Sequence, residues 1–311
     1  MIKQSQEEKL YMTLALEANQ LGKKYGKRWA LQNCDLHIPE GGVTGLVGLN
    51  GAGKTTLLHL GVGLLAPSAG SISVLGETPA PNATALIARI GFVAQERPLY
   101  RSFSVKDTLT LGRKLNTTWD NDLAERTLAR LDISLKTTVG KLSGGQRALL
   151  ALVMALAKRP RLLLLDEPFA NVDPLARREL VRLFMDAVAS NGASVVISSH
   201  HIADLEIICD RLVLLSQGQV KVEEDLETFV TSHKLLIGPH DDFERIASEV
   251  SVIQAGHTGR QSNVFARLSA PFSDPRWVVQ DLSLEDIMLA YLDTQSPLTT
   301  PNNHSQQEVA R

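Results

Sequence analysis

The sequence has few of the features that mark several common classes of protein. Its 311 residues include only two cysteines, Cys34 and Cys209, which are far apart and lack metal-ligand spacing. Such usage suits a reducing cytoplasm and indicates neither a disulfide framework nor a zinc site. The 32 basic and 34 acidic side chains give a formal charge of −2. Because there is no basic excess, we expect no nucleic-acid partner.

Long apolar runs are also missing. The longest, residues 148–157, is about half as long as a helix that crosses a bilayer, and it is bounded by Arg147 and Lys158. Residues 1–10 are polar and mixed in charge, which is not the pattern of a secretory signal. We therefore expect a chain that does not span a membrane.

The pattern of apolar residues predicts four parts of the chain. Residues 1–13 are a polar leader, residues 14–228 a main domain, residues 229–293 a small accessory domain, and residues 294–311 a disordered tail. The accessory domain is expected to be α+β. It has a modest helix, two or three short strands and a last helix capped by Ser283.

The main domain is predicted to be α/β. Residues 14–38 read as two strands around a turn at 23–28, and residues 102–158 as a helical insertion that starts with a Ser104–Asp107 capping box. Short apolar strands alternate with helical patterns elsewhere, which is typical of a parallel sheet covered on both faces. These strands are predicted at residues 43–47, 161–165, 194–198 and 211–215.

The first chemical motif is the segment G-L-N-G-A-G-K-T at residues 48–55, which follows a strand and opens a helix. Its glycines let backbone N–H groups wrap a phosphate, to which the helix N-terminus adds positive potential. Lys54 is predicted to reach the β- and γ-phosphates, and the Thr55 hydroxyl to bind Mg²⁺. A plain glycine-rich turn is the alternative, but the strand and helix favour nucleotide binding. The predicted binding residues are Gly48, Leu49, Asn50, Gly51, Ala52, Gly53, Lys54, Thr55 and Thr56.

The second motif, L-L-L-L-D-E-P at residues 162–168, is a buried strand that ends in two acids. Ligands of open α/β sheets bind at the carboxyl ends of the strands. Asp166 is predicted to hold Mg²⁺, and Glu167 to orient and deprotonate an attacking water. The alternative is that the two acids simply end a strand in solvent. The presence of the first motif argues against this alternative.

The third motif is L-S-G-G-Q at residues 142–146, at the start of a helix. Alone it could be an ordinary helix cap, although free N–H groups at such a start also suit an anion. With 162–168 downstream and G-L-N-G-A-G-K-T-T upstream, the chain resembles the nucleotide-binding subunit of an ABC transporter over about residues 14–228. The resemblance implies a P-loop NTPase of ABC type. Its parallel-sheet core carries an antiparallel β subdomain and a helical insertion, and a small α+β unit follows here.

The resemblance also assigns roles to further residues. Tyr25 matches the aromatic residue that stacks on adenine, and Gln95 the glutamine that contacts Mg²⁺ and water. Asp173 matches an aspartate at the dimer interface, and His200 the histidine that contacts the γ-phosphate; His201 matches no family role. The implied catalytic set is Lys54, Gln95, Glu167 and His200, and the implied metal ligands are Thr55, Gln95 and Asp166.

In this family two subunits pair head to tail, as a homodimer or with a second ATPase subunit. Each ATP then lies between the phosphate loop of one subunit and the L-S-G-G-Q segment of the other. Ser143 and Gly145 are therefore implied to act in trans, and the implied ATP-binding residues of this segment are Ser143, Gly144, Gly145 and Gln146. The segment A-N-V-D replaces the commoner S-G-L-D before Asp173, without removing a catalytic group.

Three functions compete on the sequence. The first is a transporter ATPase that works with a separate transmembrane permease and is held through it at the cytoplasmic face of the membrane. The second is a soluble ABC ATPase that acts on nucleic acid or ribosomes; such proteins usually have two cassettes, coiled-coil insertions or zinc-binding cysteines. The third, a non-catalytic regulator, is opposed by Glu167 and His200. The first is preferred.

Two further segments bear on the transporter hypothesis. Residues 282–289, L-S-L-E-D-I-M-L, resemble the ending of bacterial ATPases that serve drug, antibiotic and lipid exporters, which favours export. In the family, a cytoplasmic coupling helix of the permease enters a groove between the Gln95 segment and the helices of residues 104–131. Leu99, Tyr100 and Phe103 are a candidate partner surface there, although they could instead pack inward.

Overall fold

A computed structural model describes residues 13–200 and 202–292, and in it the chain divides into two compact units. The first unit ends at Glu223 and the second begins at Glu224, so the boundary predicted after residue 228 is slightly too late. The helix Leu226–Ser232 belongs to the second unit because its buried Phe229 packs on His233 and Tyr291. The predicted tail, the leader up to residue 12 and His201 lie outside the described residues.

The first unit contains two sheets. Strands β1 (Leu14–Tyr25), β2 (Arg28–Pro39) and β4 (Ala69–Val74) form an antiparallel sheet in the order β2-β1-β4. The larger sheet has the order β5-β6-β7-β3-β8-β9, and the pairs from β5 to β8 are parallel. The predicted parallel core and antiparallel sheet are therefore confirmed. The strands of the larger sheet are β3 (Val43–Val47), β5 (Ile90–Val93), β6 (Leu162–Asp166), β7 (Ser194–Ser199), β8 (Arg211–Ser216) and β9 (Gln219–Asp225).

Helices connect these strands and cover the sheet. Within residues 102–158 the structure shows the predicted capping box: the Ser104 hydroxyl accepts from the Asp107 N–H, and the Asp107 carboxylate accepts from the Ser104 N–H. Among the described residues, no helix is long and apolar enough to cross a membrane. The α-helices of this unit are Lys54–Gly61, Thr84–Ala88, Val105–Leu115, Asn121–Arg130, Gly144–Leu156, Pro174–Asn191 and Ile202–Ile208, and a 3₁₀ turn spans Val139–Lys141.

The core of the first unit explains why its strands read as continuous apolar runs. Strands β3, β6 and β7 are buried along their whole length, since helices cover both faces of a parallel sheet. Their carboxyl ends are the positions where polar residues begin. The fold thus presents its functional side chains at one edge of the sheet.

The second unit is a four-stranded antiparallel sheet in the order β11-β12-β10-β13, one strand more than the largest number predicted. Of the four strands, β13 has the weakest signal in the sequence, because its four residues are all exposed and show no apolar alternation. The last helix, Leu284–Leu292, starts where predicted, and the Ser283 hydroxyl accepts from the Asp286 N–H. The other elements are Leu226–Ser232, β10 (His233–Pro239), a 3₁₀ turn at His240–Asp242, Phe243–Glu249, β11 (Ser251–Thr258), β12 (Gln261–Arg267) and β13 (Val278–Asp281).

A polar cluster around Asp242 fastens the loop before β13 to the rest of the second unit. The Asp242 carboxylate accepts from Arg245 at 2.6 Å and from the Trp277 indole at 2.8 Å, and it lies 2.9 Å from Arg276. These donors, the Arg245 guanidinium foremost, hold the pKa of Asp242 far below its usual value. Trp277 in turn belongs to the small hydrophobic core of this unit, together with Leu236.

We therefore expect Asp242→Asn to loosen this loop, while Asp241→Asn, which changes the neighbouring exposed carboxyl group, does not. Hydrogen exchange of peptides covering residues 272–277 measures the effect, and equal exchange in the two variants contradicts it. Because the folded-state pKa is depressed, the contribution of Asp242 to stability is present above about pH 4 and is lost as the pH falls below that value. The unfolding temperatures of the two variants are expected to begin to converge as the pH falls from 7 to 3.

Candidate functional site

The glycine-rich segment lies between β3 and the helix Lys54–Gly61, as predicted. Gly53 precedes that helix with φ 111°, a left-handed conformation that favours glycine. A Cβ at this position would lie 2.6 Å from the Leu31 side chain and 2.7 Å from the Ala30 carbonyl oxygen. The strand β2 therefore presses directly on the loop, and only glycine fits between them.

Lys54 is almost completely buried at the start of this helix. Its ammonium group donates to the Gly48 carbonyl at 2.7 Å and lies 3.5 Å from the carboxylate of Glu167. Because β3 and β6 flank β7 in the sheet, the loop after β3 faces the end of β6. The two motifs are thereby brought into contact, although more than a hundred residues separate them in sequence.

Asp166 ends β6 with one carboxylate oxygen bonded and one without a partner. Oδ1 accepts a 2.7 Å bond from the Ser198 hydroxyl, whereas Oδ2 is buried and has no hydrogen-bond partner among the described residues. A buried carboxylate oxygen left unpaired is costly unless a cation binds it. Carboxylate and hydroxyl oxygens are the ligands that Mg²⁺ prefers, so Asp166 and Thr55 fit that ion.

Glu167 is held between two basic groups. One of its carboxylate oxygens lies 3.5 Å from Lys54 Nζ and the other 2.8 Å from His200 Nδ1. Its backbone is left-handed, with φ 46°, and its N–H donates to the Ser198 hydroxyl at 2.9 Å. A non-glycine residue in this conformation persists only where its surroundings impose it, and such residues cluster at functional sites.

His200 follows β7, beside the ends of β3 and β6. The structure thus brings together four of the residues singled out in the sequence: Lys54, Gln95, Glu167 and His200 all line one cavity of about 620 Å³. Tyr25 lies at the same cavity with half of its surface exposed, where an aromatic face is open to a ligand. The remaining predicted residues that line it are Leu49, Asn50, Gly51, Ala52, Gly53, Thr55 and Thr56.

Arg28 and Ala30 also line this cavity and were missed by the sequence analysis. Tyr25 pairs directly with Arg28 across the turn between β1 and β2. The predicted turn at residues 23–28 was the available signal, because residues on the two sides of a tight turn are neighbours. Arg28 adds a cation near Tyr25 and the glycine loop.

The L-S-G-G-Q segment lies elsewhere on the first unit. Ser143 caps the helix Gly144–Leu156 in a capping box with Gln146, and Gly145 packs so closely on Asp173 that a Cβ there would lie 2.7 Å from the carboxylate. Asp173 itself caps the helix Pro174–Asn191. None of the following residues lines the nucleotide cavity of a single chain: Ser143, Gly144, Gly145, Gln146 and Asp173.

Comparison with known proteins places this geometry in a family. Residues 31–170 match the family described as ABC transporter. The chain is 34% identical to the lipopolysaccharide export system ATP-binding protein LptB of Acidithiobacillus ferridurans, over 67% of this chain and 89% of that protein. It is 35% identical to a probable ABC transporter ATP-binding protein of Azorhizobium caulinodans, over 70% of this chain and 80% of that protein.

Two further comparisons extend these. The ABC transporter ATP-binding protein YhaQ of Bacillus subtilis is 29% identical over 88% of this chain and 97% of its own length. A solved structure titled as the ATP binding subunit of an ABC transporter is similar with a TM-score of 0.63 and 28% identity, covering 70% of this chain and 92% of that one. The chain therefore belongs to the ATP-binding proteins of ABC transporters, the subunits that bind and hydrolyse ATP to drive transport.

Proposed function

We propose that this subunit hydrolyses Mg²⁺-bound ATP in a head-to-tail pair and so drives export through a separate transmembrane permease, to which it is bound at the cytoplasmic face of the membrane. The observation that carries the proposal is the arrangement of buried Lys54 and Glu167 with the more exposed His200 at one cavity. It provides a cation for the phosphates and a carboxylate that lies between Lys54 and His200. No other arrangement in the described residues combines these elements with a phosphate-binding loop.

The reaction follows from the positions of these groups. Lys54 and the N–H groups of the glycine loop bind the β- and γ-phosphates, and Tyr25 stacks on the adenine ring. Thr55, Asp166 and Gln95 would hold Mg²⁺, which would supply charge neutralisation at the phosphates. Glu167 accepts a proton from the attacking water as its oxygen bonds to the γ-phosphorus, and the bond from that phosphorus to the bridging oxygen of ADP breaks. His200 donates to the γ-phosphate and fixes the Glu167 carboxylate.

Glu167→Gln is expected to abolish nearly all hydrolysis while leaving ATP binding intact, because it removes the proton acceptor and preserves the shape. General base catalysis contributes about 10²- to 10⁴-fold, which sets the expected loss in kcat. Lys54→Ala, in contrast, is expected to weaken binding itself. Phosphate release and binding of a fluorescent ATP analogue measure the two effects. Hydrolysis by Glu167→Gln at near the wild-type rate would show that another group is the base.

The separation of the L-S-G-G-Q segment from the cavity supports a paired subunit. Ser143 and the N-terminus of the helix Gly144–Leu156 can approach an anion, yet they do not line the cavity of their own chain. A second chain in head-to-tail orientation brings them onto the γ-phosphate of the ATP bound by the first. Asp173, beside Gly145, then lies at the same interface.

We expect Glu167→Gln to form a dimer when ATP is added and to be monomeric or loosely associated without it, since ATP is bound by both chains and is not consumed. Sedimentation velocity with and without ATP measures the change. The double variant Glu167→Gln, Ser143→Arg is the control, because a bulky cation at the helix start blocks the approach. A species that stays monomeric at saturating ATP means that the partner is a different ATPase subunit or that the permease is needed.

The permease is proposed to dock at a groove next to the Gln95 segment. A cavity of about 300 Å³ lies there between the start of the helical insertion and the helix Gly144–Leu156. Its walls are mostly apolar, including Leu99, Leu111, Leu115 and Trp119, and no carboxylate lines it. Leu115 leaves 73% of its surface exposed, which is unfavourable in an isolated subunit and suits a partner helix.

Tyr100 adjoins Leu99 and leaves 63% of its surface exposed, so it points outward, while its ring stacks on Phe103 at 5.0 Å. We expect Tyr100→Ala to weaken co-purification with the permease and to uncouple transport, because exposed aromatic residues often anchor interfaces. The ATPase activity of the isolated subunit is expected to stay within about twofold, since Tyr100 lies outside the nucleotide cavity. Loss of that activity or of soluble expression would show instead that Tyr100 has a structural role.

Export is supported by the names of relatives and by the second unit. LptB and the Nod factor export protein of Rhizobium etli are export ATPases by name, and BcrA of Bacillus licheniformis is named for bacitracin transport. The segment 282–289, which resembles the ending of exporter ATPases, forms the start of the last helix of the second unit. The transported compound is recognised by the permease, so this chain leaves it open.

A further inference from the structure

The backbone forms a tight turn directly after Glu167. Of the residues in this turn, only Glu167 lines the nucleotide cavity. The Ala170 N–H donates to the Glu167 carbonyl at 3.1 Å, which closes the turn over residues 167–170. Phe169 is buried in it and packs against Phe184. The left-handed conformation of Glu167 starts this turn, so anything that moves the turn also moves the Glu167 carboxylate.

The side chain of Arg97 binds this turn from outside. Its guanidinium donates to the carbonyl oxygens of both Pro168 and Ala170, at 2.8 and 2.9 Å. Arg97 is two residues after Gln95, and its own backbone is left-handed, with φ 48°. Both bonds are donated by the same nitrogen, Nη2, so this one atom holds the two carbonyl oxygens at a fixed spacing from each other.

The arrangement is costly for stability alone. Arg97 is partly buried, its Nε has no hydrogen-bond partner among the described residues, and it bonds only to uncharged carbonyls. Burial, together with the nearby charge of Arg147, lowers the pKa of Arg97. A half-buried cation without a carboxylate to neutralise it is unfavourable, and local costs of this kind are typical of functional positions.

Arg97 also faces the proposed docking groove. It lines that cavity together with Leu99, Leu115 and Trp119. The same side chain therefore touches the groove on one side and the catalytic turn on the other. Nothing else in the described part of the chain that lines this cavity is bonded to residues 167–170.

We propose that Arg97 is a positioning residue: by holding the carbonyls of Pro168 and Ala170 it keeps the Glu167 carboxylate in place for proton transfer, and through it an occupant of the groove acts on that carboxylate. This rests on the proposed role of Glu167 as the base. Arg97 acts on the position of the Glu167 backbone and not on the binding of ATP.

The kinetic test uses the purified full chain. Arg97→Ala is expected to lower kcat about tenfold with the KM for ATP unchanged, because only a step after binding is affected. Arg97→Lys keeps the charge, but its ammonium group lies one atom closer to the backbone than Nη2, so its kcat is expected to fall between those of Arg97→Ala and the parent. Free guanidinium ion at millimolar concentration is expected to restore part of the kcat of Arg97→Ala, because it can fill the space and bind the two carbonyls.

Arg89→Ala is the matched control. Arg89 also donates to a backbone carbonyl and pairs with Glu77, but it contacts neither the cavity nor the catalytic turn. We expect Arg89→Ala to lose about as much thermal stability as Arg97→Ala does. Its kcat is expected to stay at the parent value and not to respond to guanidinium. An unchanged kcat in Arg97→Ala overturns the proposal, as does a rise in KM alone or a loss that Arg89→Ala shares. Glu167→Gln tests the base separately: if it is inactive while Arg97→Ala is fully active, only the Arg97 proposal fails.

The link to the groove is tested with a label of known size. Both native cysteines are buried, so a cysteine placed at Leu115 can be labelled selectively with a bulky aromatic maleimide. We expect the label to change kcat at least threefold when Arg97 is present and less than about 1.5-fold in the Arg97→Ala chain, since coupled positions are non-additive. The same label on a cysteine placed at exposed Lys136 is expected to leave kcat unchanged in either chain. Equal effects in both chains, or none in either, overturn the coupling.

Discussion

The site depends on the side-by-side position of three parallel strands, β6, β7 and β3. Each ends at the same edge of the sheet, and each is followed by a residue that the others need: Glu167 after β6, His200 after β7 and Lys54 at the start of the helix after β3. Parallel pairing requires long crossover connections, so neighbours in the sheet are distant in sequence. The strand order alone therefore decides that these three side chains can meet.

Bringing them together buries charges, and much of the local structure offsets that cost. The side chains of Lys54 and Glu167 are each only 7% exposed, and a buried ion pair is stable only with good geometry and further hydrogen bonds. Here the Gly48 carbonyl and His200 provide those bonds. The Ser198 hydroxyl connects Asp166 to the Glu167 backbone, which keeps the unpaired Asp166 oxygen available to a cation. A site this constrained is prepared for the charge that develops on a phosphoryl group.

One chain thus carries several surfaces that are open to a ligand or a partner. The nucleotide cavity is open beside Tyr25, the start of the helix Gly144–Leu156 can accept an anion, and the groove beside Leu99 leaves apolar surface exposed. Arg97 lines the groove and is bonded to the turn after Glu167. The physical arrangement favours an enzyme whose chemistry responds to what it is bound to.

The sequence by itself determined the chemistry of this protein. The loop of residues 48–55, the acids that end the run of residues 162–166, and the serine and glycines of residues 142–146 were all recognisable, because each motif is local and follows from backbone geometry at one turn or helix start. The parallel core and the Ser104 capping box were predicted on the same local grounds.

Tertiary structure decided what depends on residues far apart. The contact of Lys54 with Glu167, the exposed strand β13, the Asp242 cluster and the bonds from Arg97 to Pro168 and Ala170 have no signature in any short segment. The same holds for the unit boundary, which follows from where Phe229 is buried. Periodicity and capping report only on neighbours along the chain, whereas these features depend on which surfaces meet after the chain has folded.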